Sequence, residues 1–459
     1  MQVQSSKTSG SQNRVSGFLR FFVLSLLIAA FAFTSLHAQT VAYVINQDDN
    51  TVSVIDVSTN TVTALIPVGN APEGVVFSPD GTRAYVTNMG ASTVSVVDTG
   101  SNLVIATIAV TGQPFFPAIT PDGKHLLVPD NAGNTVTIVD TATNAVVGSI
   151  IVGSGPTAVA VTPDGTRSYV SNTAAGTVSV IDNATNTVIA TIITGVFPVN
   201  LAITPDGKFV YVPNFGNLDI SVISTSSNTV AATIFSFIFG SPHAVAITPD
   251  GASGYVADSG VSAVFLISTS SNTITGSIPV ANIPFDLAIT PDGASVYVTD
   301  GVGAVAAIST ATNTVAATVP VGHHPLGIAI ANLSTPFSNL TIKGLTVNHN
   351  GFAENGTFSL GANSTGIDLA HQPFTVTVDG FSLTIPGGSF KQVGGNMHFV
   401  FNGTINGTPV SVNLMATGGT STDFKFSLSV TGVDLTGQPN PATVGLKIGS
   451  NSGSTTAPF

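Results

Sequence analysis

The chain has 459 residues with no cysteine, no tryptophan, only 7% charged residues and a formal net charge of −12. Without Cys there is no disulfide staple and no thiol chemistry. The acidic balance argues against nucleic acid and anionic membrane surfaces as partners, because both are bound through basic footprints.

Taken in order, residues 1–38 read as a signal peptide. Lys7, Arg14 and Arg20 give a basic start, Phe21 to Phe33 is an apolar run broken only by Ser25, and Ser35-Leu36-His37-Ala38 forms a cleavage site before Gln39. The run is shorter than the roughly 20 residues of a spanning helix, and no later segment is long and apolar enough to cross a membrane. The chain is therefore expected to be exported to the periplasm, the cell surface or the medium, with no transmembrane segment after cleavage. Residues 39–459 keep all 23 acidic residues and 8 of the 11 basic ones, a net charge of −15.

From Val41 one unit repeats seven times. Its cleanest copy runs Val161-Thr162-Pro163-Asp164-Gly165-Thr166-Arg167-Ser168-Tyr169-Val170-Ser171-Asn172, then Gly176-Thr177-Val178-Ser179-Val180-Ile181-Asp182 and Thr185-Asn186-Thr187-Val188. Pro-Asp-Gly triplets start at Pro79, Pro121, Pro163, Pro205, Pro249 and Pro291, at steps of 42, 42, 42, 44 and 42. Tyr43, Tyr85, Tyr169, Tyr211, Tyr255 and Tyr297 keep the same beat, with Leu127 in the remaining slot. A fixed period near 40 with short strands and turn signals means a propeller or a solenoid.

Each copy reads as four strands. The inner one carries a small or medium residue (Val76, Ala118, Ala160, Ala202, Ala246, Ala288, Ala329) suited to the wall of a central channel. Pro-Asp-Gly makes a tight turn, with proline setting φ and Gly closing it. The Tyr-Val strand, a β-branched Thr-Val-Ser-Val strand, a Thr-Asn-Thr turn and an outer strand follow. The first copy lacks an inner strand, and the last ends with an extra one at Leu326–Ile330. The expected closure is a three-plus-one strand clasp that removes open edges.

These copies resemble the YVTN family of β-propeller repeats, whose signature stands here as Tyr85-Val86-Thr87-Asn88. The resemblance covers Val41 to Asn332. It implies a seven-bladed β-propeller in a secreted or surface protein, with some members similar to archaeal surface-layer proteins. Related propellers include lactonases, a streptogramin lyase and quinone-dependent dehydrogenases, so the scaffold alone does not imply a reaction.

Tracing strand directions puts the Pro-Asp-Gly and Thr-Asn-Thr turns on one face of the propeller. The variable loops share the other face, where function is expected. There each inner strand is preceded by a proline: Pro72, Pro114, Pro156, Pro198, Pro242, Pro284 and Pro325. Beside them Glu73, Phe115, Phe116, Asn200, His243, Phe285, Asp286, His323 and His324, together with Phe197, should ring the channel mouth. This is the one convergence of polar, ionisable and aromatic side chains, and it reads as a small-ligand or peptide site. The alternative reading is a set of solvated loop residues. A metal reading needs His243, His323 and His324 to meet, yet the adjacent pair should point apart and no closing ligand is evident. Asp48, Asp49, Asp130, Asp258 and Asp300 read as caps rather than calcium ligands. A catalytic reading rests on Glu73, His243 and Asp286, without a nucleophile elbow or phosphate loop. No cofactor is expected.

From Ser334 the repeat stops, and Ser334-Thr335-Pro336 reads as a hinge. Alternating runs at 374–378, 381–385, 398–401, 410–414 and 424–428, a further alternating set at Val444, Leu446 and Ile448, and turn signals at Asp379-Gly380 and Asn406-Gly407, suggest a β-sandwich over 334–459. Gly356–Gly361, Ile385–Phe390 and Val433–Gly437 resemble a C-terminal module of predicted secreted bacterial proteins. Asp368, His371, Asp379 and His398 read as solvated residues there, the tail from Ser450 as disordered, and the sequons at Asn183, Asn332, Asn339, Asn355, Asn363, Asn402 and Asn406 as unmodified.

The sequence thus reads as an exported, all-β chain: signal peptide 1–38, propeller 39–333 and a β-sandwich 334–459. It favours a binding or surface-structural role toward an unidentified protein, glycan or small ligand, with self-association also open to it. The runner-up is an extracytoplasmic enzyme, either a lactonase-like hydrolase or lyase or a metal- or quinone-dependent oxidoreductase, acting at the channel mouth.

Overall fold

The computed structural model describes residues 39–333 without a break and, beyond them, strands between Thr335 and Ala457. The segment 1–38 read as a signal peptide, the turns at Asp379-Gly380 and Asn406-Gly407, and Asp368, His371 and Asn363 lie outside the described residues. Among the described residues every regular element is a strand.

Seven four-stranded antiparallel sheets make a seven-bladed propeller. Blade 1 holds Thr40–Asn46, Thr51–Asp56 and Thr61–Pro67, with Pro325–Asn332 paired antiparallel to Thr40–Asn46. Blade 2 holds Pro72–Phe77, Arg83–Asn88, Thr93–Asp98 and Leu103–Ala109, and blades 3 to 7 repeat this order. The middle strands are buried on both faces, as in Thr93–Asp98 and Thr177–Asp182. β-Branched residues fit such a surface. Each junction between blades holds its own apolar cluster: Tyr169, Val178 and Ile192 of blade 4, for example, pack on Leu201, Val210 and Val212 of blade 5.

The tyrosines explain the small inner-strand residues. In register, Ala329 faces Tyr43, Val76 faces Tyr85, Ala160 faces Tyr169, Ala202 faces Tyr211, Ala246 faces Tyr255 and Ala288 faces Tyr297. Directly opposed residues share one side of the sheet. The small side chain therefore leaves room for its own blade's ring, a reason beyond the expected crowding at the channel. Five of the six rings then lean on the next blade through a hydrogen bond to its asparagine; Tyr85 does not, and Asn144 Oδ1 is left without a partner. Tyr43 Oη donates to Asn102 Oδ1 at 2.5 Å, Tyr169 to Asn228 at 2.8 Å, Tyr211 to Asn272 at 2.6 Å, Tyr255 to Asn313 at 2.8 Å and Tyr297 to Asn60 at 2.5 Å. These asparagines stand at φ 52–56° in the turn before each outer strand. Asn tolerates that left-handed conformation better than most residues. Leu127 has no hydroxyl to offer, and the corresponding Asn186 is exposed.

The turn face is uniform, as expected. Each Pro-Asp-Gly carboxylate accepts from the Ser or Thr two residues before it, as Asp164 does from Thr162 at 2.6 Å and from the Thr166 N–H at 3.0 Å. These bonds hold Asp164 below its usual value, and Asp206 is drawn down to about 2 by Lys208 and Thr204. The turn glycines have φ of 69–73°. A Cβ on Gly123 would meet Pro79 of the preceding turn only at ordinary contact distance, so the backbone angle demands glycine there.

The C-terminal strands run in one ten-stranded order in which Thr335–Asn348 links two groups. Two sequence expectations are corrected. Thr335 and Pro336, read as a hinge, open a 14-residue strand. Asn451–Ala457, read as a disordered tail, pairs antiparallel with Ala442–Ile448. Its Gly/Ser/Thr composition hides the strand because the backbone ladder, not side-chain burial, supplies the pairing. Val410, Val412, Phe426 and Leu428 are buried while Ser411, Asn413, Lys425 and Ser427 are exposed, so this part of the sheet has one apolar face.

Replacing Tyr169 with Phe keeps the ring and deletes the bond to Asn228. The expected cost is about 1 kcal/mol, read as a lower urea midpoint at unchanged slope. A midpoint equal to wild type would show that the hydroxyl contributes nothing to the blade junction.

Candidate functional site

The site is built on the loop face, where prolines close the entry to each inner strand. The backbone at the mouth is drawn together. The Phe116 N–H donates to Thr157 O at 3.0 Å, and the Val159 N–H donates to Phe116 O. A Cβ on Gly327 would lie 2.5 Å from Glu73 O, so blades 1 and 2 approach here as only glycine allows. Phe115 and Phe116 therefore belong to a seam between blades 3 and 4, and only parts of their rings are open.

Two carboxyls sit in this mouth. Asp286 is 5% exposed and accepts from Asn200 Nδ2 at 2.8 Å and from the Ile328 N–H at 3.1 Å. It ties blades 5, 7 and 1 together. Burial pushes it up to about 7, against the pull of the Ile328 and Leu287 N–H groups and Asn200. Glu73, also 5% exposed, accepts from Gln47 Nε2 at 2.7 Å. Burial raises it to about 7 as well, with Asp286 adding a like-charge push against the Gln47 bond. Neither has a Lys or Arg partner among the described residues.

An aromatic run leads outward from Asp286. Phe285 lies 3.8 Å from the His243 ring centre at 38°, and His243 meets Phe215 edge-on at 6.0 Å. Burial lowers His243 to about 4, only partly offset by a hydrogen bond to the Phe285 backbone. The imidazole is therefore neutral at physiological pH. Part of its surface still reaches solvent.

His323 and His324 lie elsewhere. The His323 N–H donates to Asp49 Oδ2 at 2.7 Å, its Nδ1 stands 2.9 Å from Asp49 Oδ1, and His324 Nδ1 stands 3.6 Å from Asp48. The bonds and charge of Asp49 raise His323 above its ordinary value. These pairs hold the blade 1 loops together at the rim. The three histidines make no metal set, and among the described residues no group of three or more His, Asp or Glu side chains does. Asp258 accepts N–H bonds from Gly240, Ser241 and Gly260, and Asp130 from Gln113 and Gly133, so both are caps. Burial would raise Asp300, but the Ala304, Gly303 and Val302 N–H groups and Asn282 outweigh it and hold it low.

Residues 1–138 match the model of the YNCE-like beta-propeller family. No curated protein matches the chain. Among solved structures it is similar to a Kuenenia stuttgartiensis hydrazine synthase chain, at 23% identity and TM-score 0.53, over 56% of this chain and 88% of that one. It is also similar to a functionally unknown protein from Desulfotomaculum acetoxidans DSM 771, at 19% identity and TM-score 0.58, over 64% of this chain and 99% of that one. The family model spans under a third of the chain, and the seven four-stranded sheets make the whole repeat region a β-propeller. At these identities the solved structures speak for the fold alone.

In this propeller one loop-face slot has no counterpart among the residues singled out from the sequence. It directly follows the Asn or Asp that ends each Tyr-Val strand. Gln47 in that slot reaches Glu73, Asn131 reaches Pro156 O, Thr173 reaches Pro198 O, and Phe215 meets His243. Each bridges to the next blade. The signal was present as Gln, Met, Asn, Thr, Phe and Ser at positions 47, 89, 131, 173, 215 and 259 of an otherwise regular repeat.

The raised carboxyls set a pH dependence. Folded Glu73 and Asp286 keep protons near pH 7 that an unfolded chain releases near pH 4. Between those limits the folded state binds more protons, so stability falls as pH rises through that window and is level above it. Asp286→Asn should flatten this fall, measured as the urea midpoint of variant against wild type at about pH 5 and about pH 8. A wild type that gains on the variant as pH rises has the opposite sign and refutes the assignment.

Proposed function

We propose that the protein is an exported propeller scaffold that binds a protein or small ligand through its loop face. The observation that carries this reading is the exposed apolar surface on the loops that leave the outer strands of blades 4 and 5. Ile193 is 80% exposed and Phe237 95%, and Val196, Phe197, Phe215 and Ile238 add to them. A cavity of ≈ 340 Å³ opens among Thr173, Ile193, Gly195, Val196, Phe197 and Asn217. Contiguous exposed apolar surface marks interaction sites. The ionisable mouth residues, by contrast, are engaged within the protein: Asp286 by Asn200 and Ile328, Glu73 by Gln47, His323 by Asp49. Groups so engaged form a seal more readily than a reaction centre.

An enzyme remains the second reading, for one reason. Glu73 and Asp286 titrate near neutrality and influence each other, as a general acid–base pair does. Export rests on the basic and apolar pattern of 1–38. We read the pairing of Pro325–Asn332 with Thr40–Asn46 as the clasp that closes the propeller, supported by its register from Thr40↔Asn332 to Asn46↔Pro325. We read the strands after Ser334 as a separate β-sandwich module, supported by the one-sided burial of Val410, Val412, Phe426 and Leu428.

The test pans a displayed random-peptide library against the full chain and maps enriched peptides by hydrogen exchange. Protection on the loop face, with affinity falling about tenfold in a Phe197→Ser, Phe237→Ser variant, supports the reading. Peptides that protect the turn face or the blade flanks, or ignore this variant, defeat it. Sequencing the exported protein should show a new N-terminus at Gln39.

A further inference from the structure

The basic residues of the propeller are sorted by face, while its carboxyl groups stand on both, ten on the turn face and eight on the loop face. Its four Lys and Arg residues, Arg83, Lys124, Arg167 and Lys208, all belong to the turn face. There Arg83 and Arg167 donate to Thr141 O and Thr225 O, and Lys124 and Lys208 pair with Asp122 and Asp206. The loop face has none. It carries eight carboxyl groups: Asp48 and Asp49 on a loop, Asp219 at the start of its strand, the caps Asp130, Asp258 and Asp300, and Glu73 and Asp286, raised toward neutrality by burial, in the mouth. Only His323 and His324 bring a basic side chain within ion-pair distance of any of them. A low-dielectric mouth lined by one sign of charge focuses field and draws in the opposite charge.

The aromatic run lies in that field. Phe285, His243 and Phe215 offer ring surface from blade 7 to blade 5. His243 adds a neutral ring rather than a competing cation. On the same face lies the exposed apolar surface of blades 4 and 5, and its most exposed part has a plain origin. The one 44-residue step of the repeat places two extra residues in the loop between Phe235 and Pro242, where Phe237 and Ile238 stand out. Rings beside carboxylates bind cations, and Lys and Arg add apolar stems that lie along hydrophobic surface. A lone metal ion would not use this surface, and no three-ligand set is present among the described residues.

Resting on the loop face as the binding surface, we infer that its partner is a basic polypeptide segment whose Lys or Arg side chains meet the aromatic run and the carboxylates beside it. The apolar surface takes the stems and neighbouring apolar residues of the same segment.

The probes are hexalysine and hexaglutamate, titrated calorimetrically into the full chain at low salt. One variant carries Asp48→Asn, Asp49→Asn and Asp219→Thr, the last being the residue found in the same slot at Thr51, Thr93, Thr135 and Thr177. A second carries Phe215→Thr, as at Thr173. Both use residues that the fold accommodates. Hexalysine should bind wild type with an affinity that falls as salt rises, weaken about tenfold in the carboxylate variant and about threefold in Phe215→Thr, while hexaglutamate stays unbound. Equal hexalysine affinity in wild type and both variants would reduce the effect to diffuse attraction by an acidic chain and overturn the inference. If hexalysine fails while panned peptides of other composition protect the loop face, the cationic assignment alone falls. If neither binds there, the binding face falls with it.

Discussion

The bond from a buried tyrosine to the next blade's asparagine sets the terms for the propeller. It needs a ring on the second strand, a small residue opposite that ring, and an asparagine held left-handed in the following blade's last turn. Those three demands fall at fixed distances along the chain, which is why the repeat keeps its beat. They also separate what can vary from what cannot. The two extra residues near Ser236 enter between an outer strand and the next proline, outside the tyrosine-to-asparagine geometry of either blade. Tyr211 still reaches Asn272 at 2.6 Å across the longer connection. An insertion on the turn face would instead push apart groups that must meet.

The same constraint makes the two faces unlike. On the turn face the tyrosine hydroxyls, the arginine side chains and the Thr-to-Gly carbonyl bonds, such as Thr99 to Gly81 O, all cross between elements. The loop face is held by backbone N–H groups reaching the Asn or Asp caps, as Gly322 reaches Asn46. Side chains beyond the cap are free to differ, so Gln47, Thr173 and Phe215 occupy one slot with three chemistries. Variation is concentrated where the scaffold asks only for a backbone path.

This division also decides what the sequence could show. The seven copies, the four strands of each and the turn residues were legible, because each is written as a short-range pattern repeated many times. The ring of Glu73, Asn200, His243, Phe285 and Asp286 was legible as a place. Its bonding was not. The contact of Asn200 with Asp286 joins blade 5 to blade 7, and no local pattern encodes a pair 86 residues apart. His323 and His324 looked equivalent to His243 because residue type was all that could be compared. Register with Asp48 and Asp49, nearly 280 residues earlier, moves them to the rim. Past Ser334 there is no repetition to average over, so the polar strand at Asn451–Ala457 passed as a tail.

The buried carboxyls bear on scaffold against catalyst. Desolvation disfavours the charged form of an acid, so a mouth with two carboxyls and no Lys or Arg among its described neighbours holds protons that water would remove. A purely structural strap would be served as well by amides, which bond the same N–H groups without titrating. The carboxyls add a response: a cation brought to the mouth favours their ionised forms, and proton loss in turn strengthens the hold on the cation. Hydrogen bonds from Asn200, Gln47 and Ile328 keep both groups in place through that change. Binding at the rim leaves those hydrogen bonds in place.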